Sequence, residues 1–467
     1  MVNKRRLEIG IVGAGIGGLS AGALLTKQGC KVKIFEKESF IGGRTLSLDT
    51  SFLTPRGYRE LLSKFNMSLP FSEPDLETIF DKNMLKGYKM DLGFHVVGGG
   101  AASNINEVLS KLGEYVEMLE SKLAYVKKNG FDYPFLSTGD KITMLPHILR
   151  LVFSGESTMK KLDKVCMRET VERYGKGKMR LVLEVFSRVI TTVNDLNRIS
   201  TGETFRSLKN LLSESSPVGY PKNGLGSMYE KLADFVTKNG GEIRSNTAVK
   251  KIIVDEGKVT GILAGDREYL VDVVVLNTLV QNLFKIVDKK HFPREYVENI
   301  CSLSGTGSLC AYYSLKKVEP SLLGKTFLFI ERNAGVKGED AVGMIDFMTA
   351  LPDSGLAPVS HHLVQSYIIC TPDEVRDRKT LQHLREMLDK NLEKLVPDLN
   401  TQLRWVVYPA VWHLDGVAKT IDNVKPEIKT PLRNLYLVGD CVKAPGVGVN
   451  CAINSAKMLQ DILLGSP

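Results

Sequence analysis

The chain has 467 residues, of which 43% are hydrophobic and 25% are charged, and its Lys and Arg residues exceed its Asp and Glu residues to give a net charge of +9. This length is enough for about three domains of ordinary size. The composition is that of a folded globular protein and excludes a collagen, a coiled coil and an intrinsically disordered chain. The positive charge is spread in short lysine pairs rather than one block, which argues against a nucleic-acid partner.

The cysteines and the first residues bear on the compartment. Seven cysteines stand at scattered spacings, which is typical of buried thiols in a reducing compartment, and no pair has the spacing of zinc ligands. The opening residues lead into a predicted strand without a signal-peptide cleavage site. We therefore expect a cytoplasmic protein without a metal site. No stretch reaches the ~20 apolar residues of a membrane span, but residues 142–153 are apolar enough to leave contact with a bilayer surface open.

The first residues predict a βαβ unit. An apolar strand at 7–12 is followed by a glycine turn, a helix at 16–28 and a second strand at 31–35. Residues 55–65 form a basic, helix-like stretch. Residues 104–212 place Leu, Val, Met and Phe at spacings of three and four among charged residues, which predicts a helical insertion.

The rest of the chain returns to strands and helices in alternation. Residues 219–277 resume the α/β pattern, and residues 280–400 mix strands with an amphipathic helix, which predicts a second domain. No repeat or Ser/Pro-rich linker is present, so we expect the domains to be interleaved. The predicted elements are a helix at 227–238, strands at 271–276, 308–315, 326–330 and 362–370, a helix at 379–395, a strand at 435–438 and a helix at 451–464.

Residues 13–18 (GAGIGG) form the clearest motif, because they follow an apolar strand and open a helix. In that setting Gly13 permits the tight turn, Gly15 lets a diphosphate approach the main chain, and Gly18 lets the helix pack closely on the strand. The helix N-terminus offers free N–H groups and a partial positive charge. Glu36 ends the second strand, where a carboxylate can accept hydrogen bonds from a ribose. The segment predicts a dinucleotide site, with a ligand-free glycine turn as the alternative.

The residues that follow this motif decide which dinucleotide is expected. With residues 42–45 (GGRT), the start of the chain resembles the flavoprotein superfamily of amine oxidases, protoporphyrinogen oxidase and phytoene desaturases. In that family the arginine, here Arg44, lies against the FAD diphosphate, a task that suits a planar, permanently charged group. Further segments resemble the family in its own order: 91–95 (DLGFH), 220–226 (YPKNGLG), 241–249 (GEIRSNTAV), 436–440 (YLVGD) and 445–449 (PGVGV).

The resemblance implies an α/β fold with FAD as the cofactor. The fold would combine a Rossmann-like FAD-binding domain of the GR2 flavoprotein type with an interleaved α+β substrate domain and a helical insertion. The implied FAD-binding domain spans 1–75, 217–282 and 406–467, and the substrate domain spans 76–216 and 283–405. The expected cofactor-binding residues are Gly13, Gly15, Ile16, Gly17, Gly18, Glu36, Lys37, Gly43, Arg44, Val249, Gly439, Asp440, Gly448 and Val449.

Three functions are open at this point. Amine oxidase relatives present a lysine near the flavin from a strand of the substrate domain. Here the comparable strand, 305–313 (GTGSLCAYY), has Leu309 at that place, which weakens the interpretation as an amine or amino-acid oxidase. The segments at 220–226 and 241–249 are more similar to the phytoene desaturase branch, whose members desaturate, saturate or isomerise lipophilic chains. A flavin-binding protein without catalysis is the third interpretation.

We therefore expect an FAD-dependent oxidoreductase that acts on a small lipophilic unsaturated substrate by hydride transfer at flavin N5. His95 is the first candidate for a polar catalytic contact, and Tyr408 and Trp412 are candidates for an aromatic wall at the reacting atoms. Residues 142–153 are a candidate entrance for substrates delivered from a membrane. A second glycine motif with its own acid is missing from the sequence, so we expect no NAD(P)H domain, and the electron acceptor stays open.

Overall fold

Two sheets, one parallel and one mainly antiparallel, carry the fold. The computed structural model describes residues 6–92, 96–212, 218–335, 337–349 and 354–465. In these ranges the strands are β1 (Glu8–Val12), β2 (Lys31–Phe35), β3 (Ser47–Asp49), β4 (Met67–Glu73), β5 (Lys89–Asp91), β6 (Val97–Gly98), β7 (Met118–Val126), β8 (Phe131–Asp132), β9 (Val218–Pro221), β10 (Glu242–Arg244), β11 (Val249–Asp255), β12 (Lys258–Ala264), β13 (Arg267–Leu270), β14 (Val273–Leu276), β15 (Gly307–Leu315), β16 (Lys325–Glu331), β17 (Ala341–Phe347), β18 (His362–Cys370), β19 (Leu403–Val411) and β20 (Leu435–Leu437). The α-helices of the same ranges are α1 (Ile16–Lys27), α2 (Pro55–Lys64), α3 (Leu76–Asp81), α4 (Asn104–Lys111), α5 (Thr138–Val152), α6 (Glu156–Leu162), α7 (Met167–Tyr174), α8 (Lys178–Thr191), α9 (Thr201–Leu212), α10 (Gly226–Lys238), α11 (Arg294–Ser302), α12 (Arg378–Glu393), α13 (Leu399–Gln402) and α14 (Val449–Leu464).

The parallel sheet has the strand order β10-β2-β1-β14-β20. Its short strands are rich in Val and Ile because both faces of the sheet are covered. Helices α1 and α10 pack on one face, where Gly22 of α1 lets Ile34 and Val236 approach closely. The antiparallel strands β11–β13 cover the other face, where Ile262 lies against Gly10. This sheet confirms the predicted βαβ start and the α/β fold class.

The second sheet has ten strands, in the order β4-β19-β15-β18-β17-β16-β7-β9-β6 with β8 beside β7. Successive side chains of a strand point to opposite faces. In β15, Leu309 and Tyr313 pack under helix α12, whereas Cys310 and Tyr312 belong to the cluster that contains Leu92. We refer to these two faces as the α12 side and the Leu92 side.

Several elements differ from the sequence prediction. Strand β4 falls inside the predicted segment 1–75 but pairs with β19 in the ten-stranded sheet. Residues 104–212 are predicted helical throughout, and that prediction is wrong for β7. The apolar residues Met118, Leu119 and Leu123 imitate a helical spacing, but pairing with β9 and β16 holds this segment extended. Strands β17 and β19 were not predicted.

Helix α5 leaves an apolar stripe in solvent. Ile142, Leu145, Leu149 and Phe153 follow one another at spacings of three or four, and their exposed fractions are 67, 49, 45 and 82%. Within the described ranges, every helix is too short or too polar to cross a bilayer. The stripe is therefore a surface feature of the helical region.

Candidate flavin-binding and active site

The glycine turn lies at the carboxyl end of the parallel sheet, between β1 and α1. Gly13 has a left-handed conformation (φ +98°), and a Cβ there would lie 2.4 Å from the carbonyl oxygen of Asn277. A Cβ on Gly18 would lie 2.2 Å from the carbonyl oxygen of Gly13. Side chains at these two positions would fill the turn, so the glycines keep the main chain close-packed and accessible to a ligand.

The N-terminus of α1 is built to receive an anion. Its N-cap is Gly15, which has no capping side chain, and its first turn, which includes Ile16, Gly17 and Gly18, carries no acidic residue. The side-chain amide of Asn277, turned so that its oxygen faces donors, accepts from the N–H groups of Gly15 and Gly18 at 3.2 and 3.1 Å. The remaining N–H groups and the helix dipole favour a phosphate here.

Glu36 occupies the position expected of a ribose-binding acid, at the end of β2. Its Oε2 accepts from the N–H of Ala14 at 2.9 Å, and its Oε1 accepts from the N–H of Glu38 at 3.0 Å. Its carbonyl oxygen accepts from the N–H of Thr247 at 2.7 Å, which brings the start of β11 at Val249 close to the acid. The carboxylate is therefore fixed beside the glycine turn. Lys37 points outward and pairs with Glu38.

The segment with Arg44 rests on the glycine turn. The N–H of Gly42 donates to the carbonyl oxygen of Ala14 at 2.8 Å, and a Cβ on Gly43 would lie 3.2 Å from the Cα of Gly15. These contacts seat the arginine directly beside the N-terminus of α1. The side chain of Arg44 keeps 26% of its surface exposed, so it can still meet a ligand.

Arg44 joins the two ends of the chain. Its Nη2 donates to Oδ2 of Asp440 at 2.7 Å, and its Nη1 donates to the carbonyl oxygens of His413 and Leu414 at 2.6 and 3.1 Å. Burial acts against both charges, but the contact between them raises the pKa of Arg44 and lowers the pKa of Asp440. Both groups therefore stay ionised across the ordinary pH range.

The C-terminal segment completes this edge of the sheet. Gly439 is left-handed (φ +118°), and a Cβ on Gly17 would lie 3.2 Å from its Cα. Gly448 is the N-cap of α14, whose first residue is Val449 and whose first turn is also free of acidic side chains. Helix α14 packs against α1. The structure thus brings the glycine, GGR and C-terminal segments together as the sequence motifs predict.

Asp91 anchors the next motif. Its buried carboxylate accepts from the hydroxyl of Ser47 and from the N–H of Leu225 at 3.1 Å, and its carbonyl oxygen accepts from the hydroxyl of Tyr312 at 2.5 Å. Burial raises the pKa of Asp91 to about 6. His95, four residues further on, lies outside the described residues.

A row of polar side chains crosses the Leu92 side of the large sheet. Thr326, Asp346, Gln365 and Tyr312 face one another on adjacent strands. Thr326 donates to Asp346 at 2.5 Å, and Nε2 of Gln365 donates to the hydroxyl of Tyr312 at 2.7 Å. Burial raises the pKa of Asp346 to about 7, although hydrogen bonds from Thr326 and Tyr220 act in the opposite direction.

Tyr408 and Trp412, the predicted aromatic wall, both pack with the cluster on the α12 side of the large sheet. The hydroxyl of Tyr408 donates to Asp389 of α12 at 2.6 Å. The ring of Trp412 packs at the edge of the α12-side cluster and has the guanidinium of Arg376 5.7 Å from its centroid. The alternation along β19 turns Tyr408 toward α12 and leaves Trp405 and Val407 on the Leu92 side.

The strand compared with amine oxidases also has a defined orientation. Leu309 points to the α12 side, so the residue pair that faces the Leu92 side is Ser308 and Cys310. Strand β15 contains no lysine at any position. The expected departure from the amine oxidase pattern therefore holds for the whole strand.

One residue of the site, Asn277, was missed by the sequence reasoning. Asn277 directly follows β14, and its place at the carboxyl end of a strand next to β1 was a usable signal. His413 binds Arg44 through its main chain, which no sequence pattern shows. Across the described residues, no group of three or more His, Cys, Asp or Glu side chains is arranged to hold a metal ion.

The site combines the glycine turn, the N-terminus of α1 without acidic residues, the fixed carboxylate of Glu36 and the guanidinium of Arg44. This combination is that of a dinucleotide-binding flavoprotein. The sequence model of one family, described as flavin containing amine oxidoreductase, matches residues 16–458. The chain belongs to this family. It is a flavin-dependent oxidoreductase.

Three individual proteins illustrate the similarity. The chain is 21% identical to a 4,4'-diapolycopen-4-al dehydrogenase of Metabacillus indicus, over 98% of this chain and 97% of that protein. It is 24% identical to a phytoene desaturase of Fusarium fujikuroi, over 67% of this chain and 56% of that protein. An oxidoreductase structure from Methanosarcina mazei superposes with a TM-score of 0.73 at 19% identity, covering 97% of this chain and 100% of that chain. The last similarity is one of fold.

Proposed function

We propose that this oxidoreductase desaturates, saturates or isomerises a lipophilic unsaturated substrate. The observation that carries the proposal is the apolar Leu92 side of the large sheet, which continues from the anchored Asp91 segment. Its side chains are mostly aliphatic, aromatic or sulfur-containing and include Leu48, Leu92, Cys310, Met344, Tyr367, Ile369 and Val407. Apart from the row of Thr326, Asp346, Gln365 and Tyr312, whose members bond to one another, this side is apolar and suits a hydrocarbon chain.

The relatives support the same substrate class. The names of the two sequence relatives above refer to a carotenoid-type aldehyde and to phytoene, both long unsaturated chains. At 21 and 24% identity these names support a class of substrate and leave the individual molecule open. The absence of a lysine from β15 is the further reason to prefer this function to amine oxidation.

The residues of the site have separable tasks in this proposal. We expect the α1 N-terminus and Arg44 to hold the FAD diphosphate and Glu36 to hold the ribose. Bound FAD supplies the capacity to accept a hydride. The three hydrogen bonds that Asp91 accepts fix the segment that joins the cofactor site to the Leu92 side. The buried residues of the Leu92 side would keep water away from a flavin and substrate bound beside them.

We also propose that α5 contacts a bilayer and takes the substrate from it. The exposed stripe of four apolar residues has Lys141, His147 and Arg150 on the same helix. An exposed apolar face with basic neighbours is typical of a helix that lies in the interface of an anionic membrane. This placement fits a substrate that is soluble in lipid and not in water.

The experiment uses the purified holoenzyme under anaerobic conditions. Phytoene is supplied in liposomes, and putrescine and benzylamine are supplied in solution. We expect phytoene to bleach the visible flavin absorption band, or to be converted to a new polyene, without a matching yield of peroxide. Bleaching by an amine, with peroxide after oxygen is admitted and no response to polyenes, would assign the alternative function.

A further inference from the structure

His413 lies where the two sheets meet. Its carbonyl oxygen accepts from Arg44 at 2.6 Å, so its main chain belongs to the flavin site. Its ring packs on Gly305, two residues before β15: a Cβ on that glycine would lie 2.6 Å from Nδ1 of His413. His413 therefore contacts Arg44 through its main chain and the segment just before β15 through its ring.

The ring is held without a hydrogen-bond partner on one nitrogen. Nδ1 of His413 is buried and has no partner. In contrast, Nδ1 of His362 lies 3.2 Å from the hydroxyl of Thr349, and Nε2 of His383 lies 2.9 Å from a carbonyl oxygen. His361 also has a buried, unpartnered Nδ1, but its ring packs near Tyr88, away from Arg44. A histidine fixed by its main chain, with a free nitrogen, is available for proton transfer.

The charges around His413 keep it neutral. Burial is the main cause of its lowered pKa, and the guanidinium groups of Arg44 and Arg376 act in the same direction. Asp440 acts in the opposite direction, but its charge is shared with Arg44. At neutral pH the imidazole is therefore unprotonated, which is the form that accepts a proton.

We propose that the imidazole of His413 is the proton acceptor of the reaction at the flavin site. The inference rests on the proposed function. In a desaturation, one C–H bond of the substrate gives its hydrogen and both electrons to the flavin as hydride. The neighbouring C–H bond gives its proton to the free nitrogen of His413, and the electrons of that bond form the new C=C bond.

The first test compares flavin reduction in four variants with the wild-type holoenzyme. Phytoene in liposomes is the probe, and the rate of flavin bleaching is recorded against pH. We expect His413→Gln to bind FAD normally and to lower the rate about 100-fold or more, which is the ordinary contribution of a general base. The wild-type rate should rise with pH through a value below the usual histidine range, and that rise should be missing in the variant.

Matched histidine variants and added imidazole complete this test. His361→Gln removes a second buried histidine with an unpartnered nitrogen and should leave the rate unchanged. Added imidazole should restore part of the rate to His413→Ala. A loss confined to His95→Gln, or equal rates in His413→Gln and wild type, would overturn the role of His413 and leave the proposed function intact. If phytoene neither bleaches the wild-type flavin nor is converted to a product, the proposed function itself is contradicted.

A second measurement does not depend on turnover. The histidine ring resonances of labelled holoenzyme are assigned with His413→Gln and titrated by NMR. We expect His413 to titrate below free histidine and its resonance to move when phytoene is added. A charged His413 at pH 7, or a resonance that phytoene leaves unmoved, would overturn the proposal even if the variant fails to retain flavin.

Discussion

Arg44 and Asp440 are 396 positions apart in the chain and form an ion pair of 2.7 Å at the carboxyl end of the parallel sheet. The same guanidinium also binds two carbonyl oxygens of the segment that leads into the last strand. One side chain therefore ties the first glycine turn to both late segments of the site. Because these contacts use the planar fork of the guanidinium, the site depends on arginine in particular and not only on a positive charge.

Replacing Arg44 by lysine should weaken FAD binding. An ammonium group keeps the charge but cannot bind Asp440 and two carbonyl oxygens at once, so we expect a loss of about 1–3 kcal/mol, or roughly 5- to 150-fold in Kd. Flavin fluorescence titration of the apoprotein measures this effect. Arg56→Lys is the control, because Arg56 makes only an exposed pair with Glu60. Equal FAD affinity in Arg44→Lys and wild type would contradict the role given to this arginine.

Replacing Gly15 by valine should give a protein without flavin. A Cβ at this position would lie 2.8 Å from the side-chain amide of Asn277, and the two further methyl groups would occupy the space before the helix N-terminus. Absorption spectra of the purified proteins provide the measurement. Gly155→Ala is the matched control, since a Cβ on Gly155, another helix N-cap, would meet nothing within 4 Å. A full flavin spectrum in Gly15→Val would show that the diphosphate lies elsewhere.

Replacing Asp346 by asparagine should stabilise the protein at high pH. Burial raises the pKa of Asp346 from 3.8 to about 7 in the folded state. The unfolded chain releases this proton near pH 4, so the wild type loses stability as pH rises from about 4 to about 7, whereas the isosteric amide does not. The expected gain at pH 8 is on the order of 2–4 kcal/mol.

Thermal unfolding of both proteins at pH 5 and pH 8 tests the effect of Asp346. The difference in Tm between variant and wild type should be clearly larger at pH 8. Asp234→Asn changes an exposed carboxylate that pairs with Lys238 on the same helix, and we expect almost no pH-dependent difference there. A stability gain that is the same at both pH values would argue against a protonated Asp346.

Removing the apolar stripe of α5 should reduce membrane binding. A variant with serine at Ile142, Leu145, Leu149 and Phe153 loses four exposed apolar side chains and keeps the basic ones. We expect it to sediment less with anionic liposomes and to keep the flavin spectrum of the wild type. Leu270→Ser is the control, because Leu270 is an apolar residue that is 76% exposed on strand β13, outside the stripe. Equal sedimentation of the stripe variant and the wild type would remove α5 as the contact surface.

The parts of this structure that follow local rules could be predicted from sequence. The glycine turn, the helix after it and Glu36 lie within one βαβ unit, so their spacing alone fixes their relative positions. The resemblance of the later motifs to the flavoprotein family implied that three distant segments form one cofactor domain. The strands β15, β16 and β18 were found because each is a nearly continuous apolar run.

The parts that depend on pairing could not be predicted in the same way. Period-two alternation shows that a strand has two faces but does not show which face meets which neighbour. Tyr408 and Leu309 illustrate this limit, because both point under α12 and only the pairing of β15 with β19 reveals it. The spacing of the apolar residues in β7 fits a helix equally well. Only the long-range pairing of this segment with β9 and β16 makes it a strand. The main-chain contact of His413 with Arg44 leaves no trace in the sequence.

The parallel sheet takes its last strand, β20, from residues 435–437, and α14 closes it only after residue 449. During synthesis the glycine turn and its acid leave the ribosome hundreds of residues before Asp440 exists. The nascent chain therefore exposes the glycine turn long before Asp440 and α14 are available, and flavin cannot be held by the whole site until α14 has been made. A chain cut short before residue 435 would lack both segments and should never become yellow.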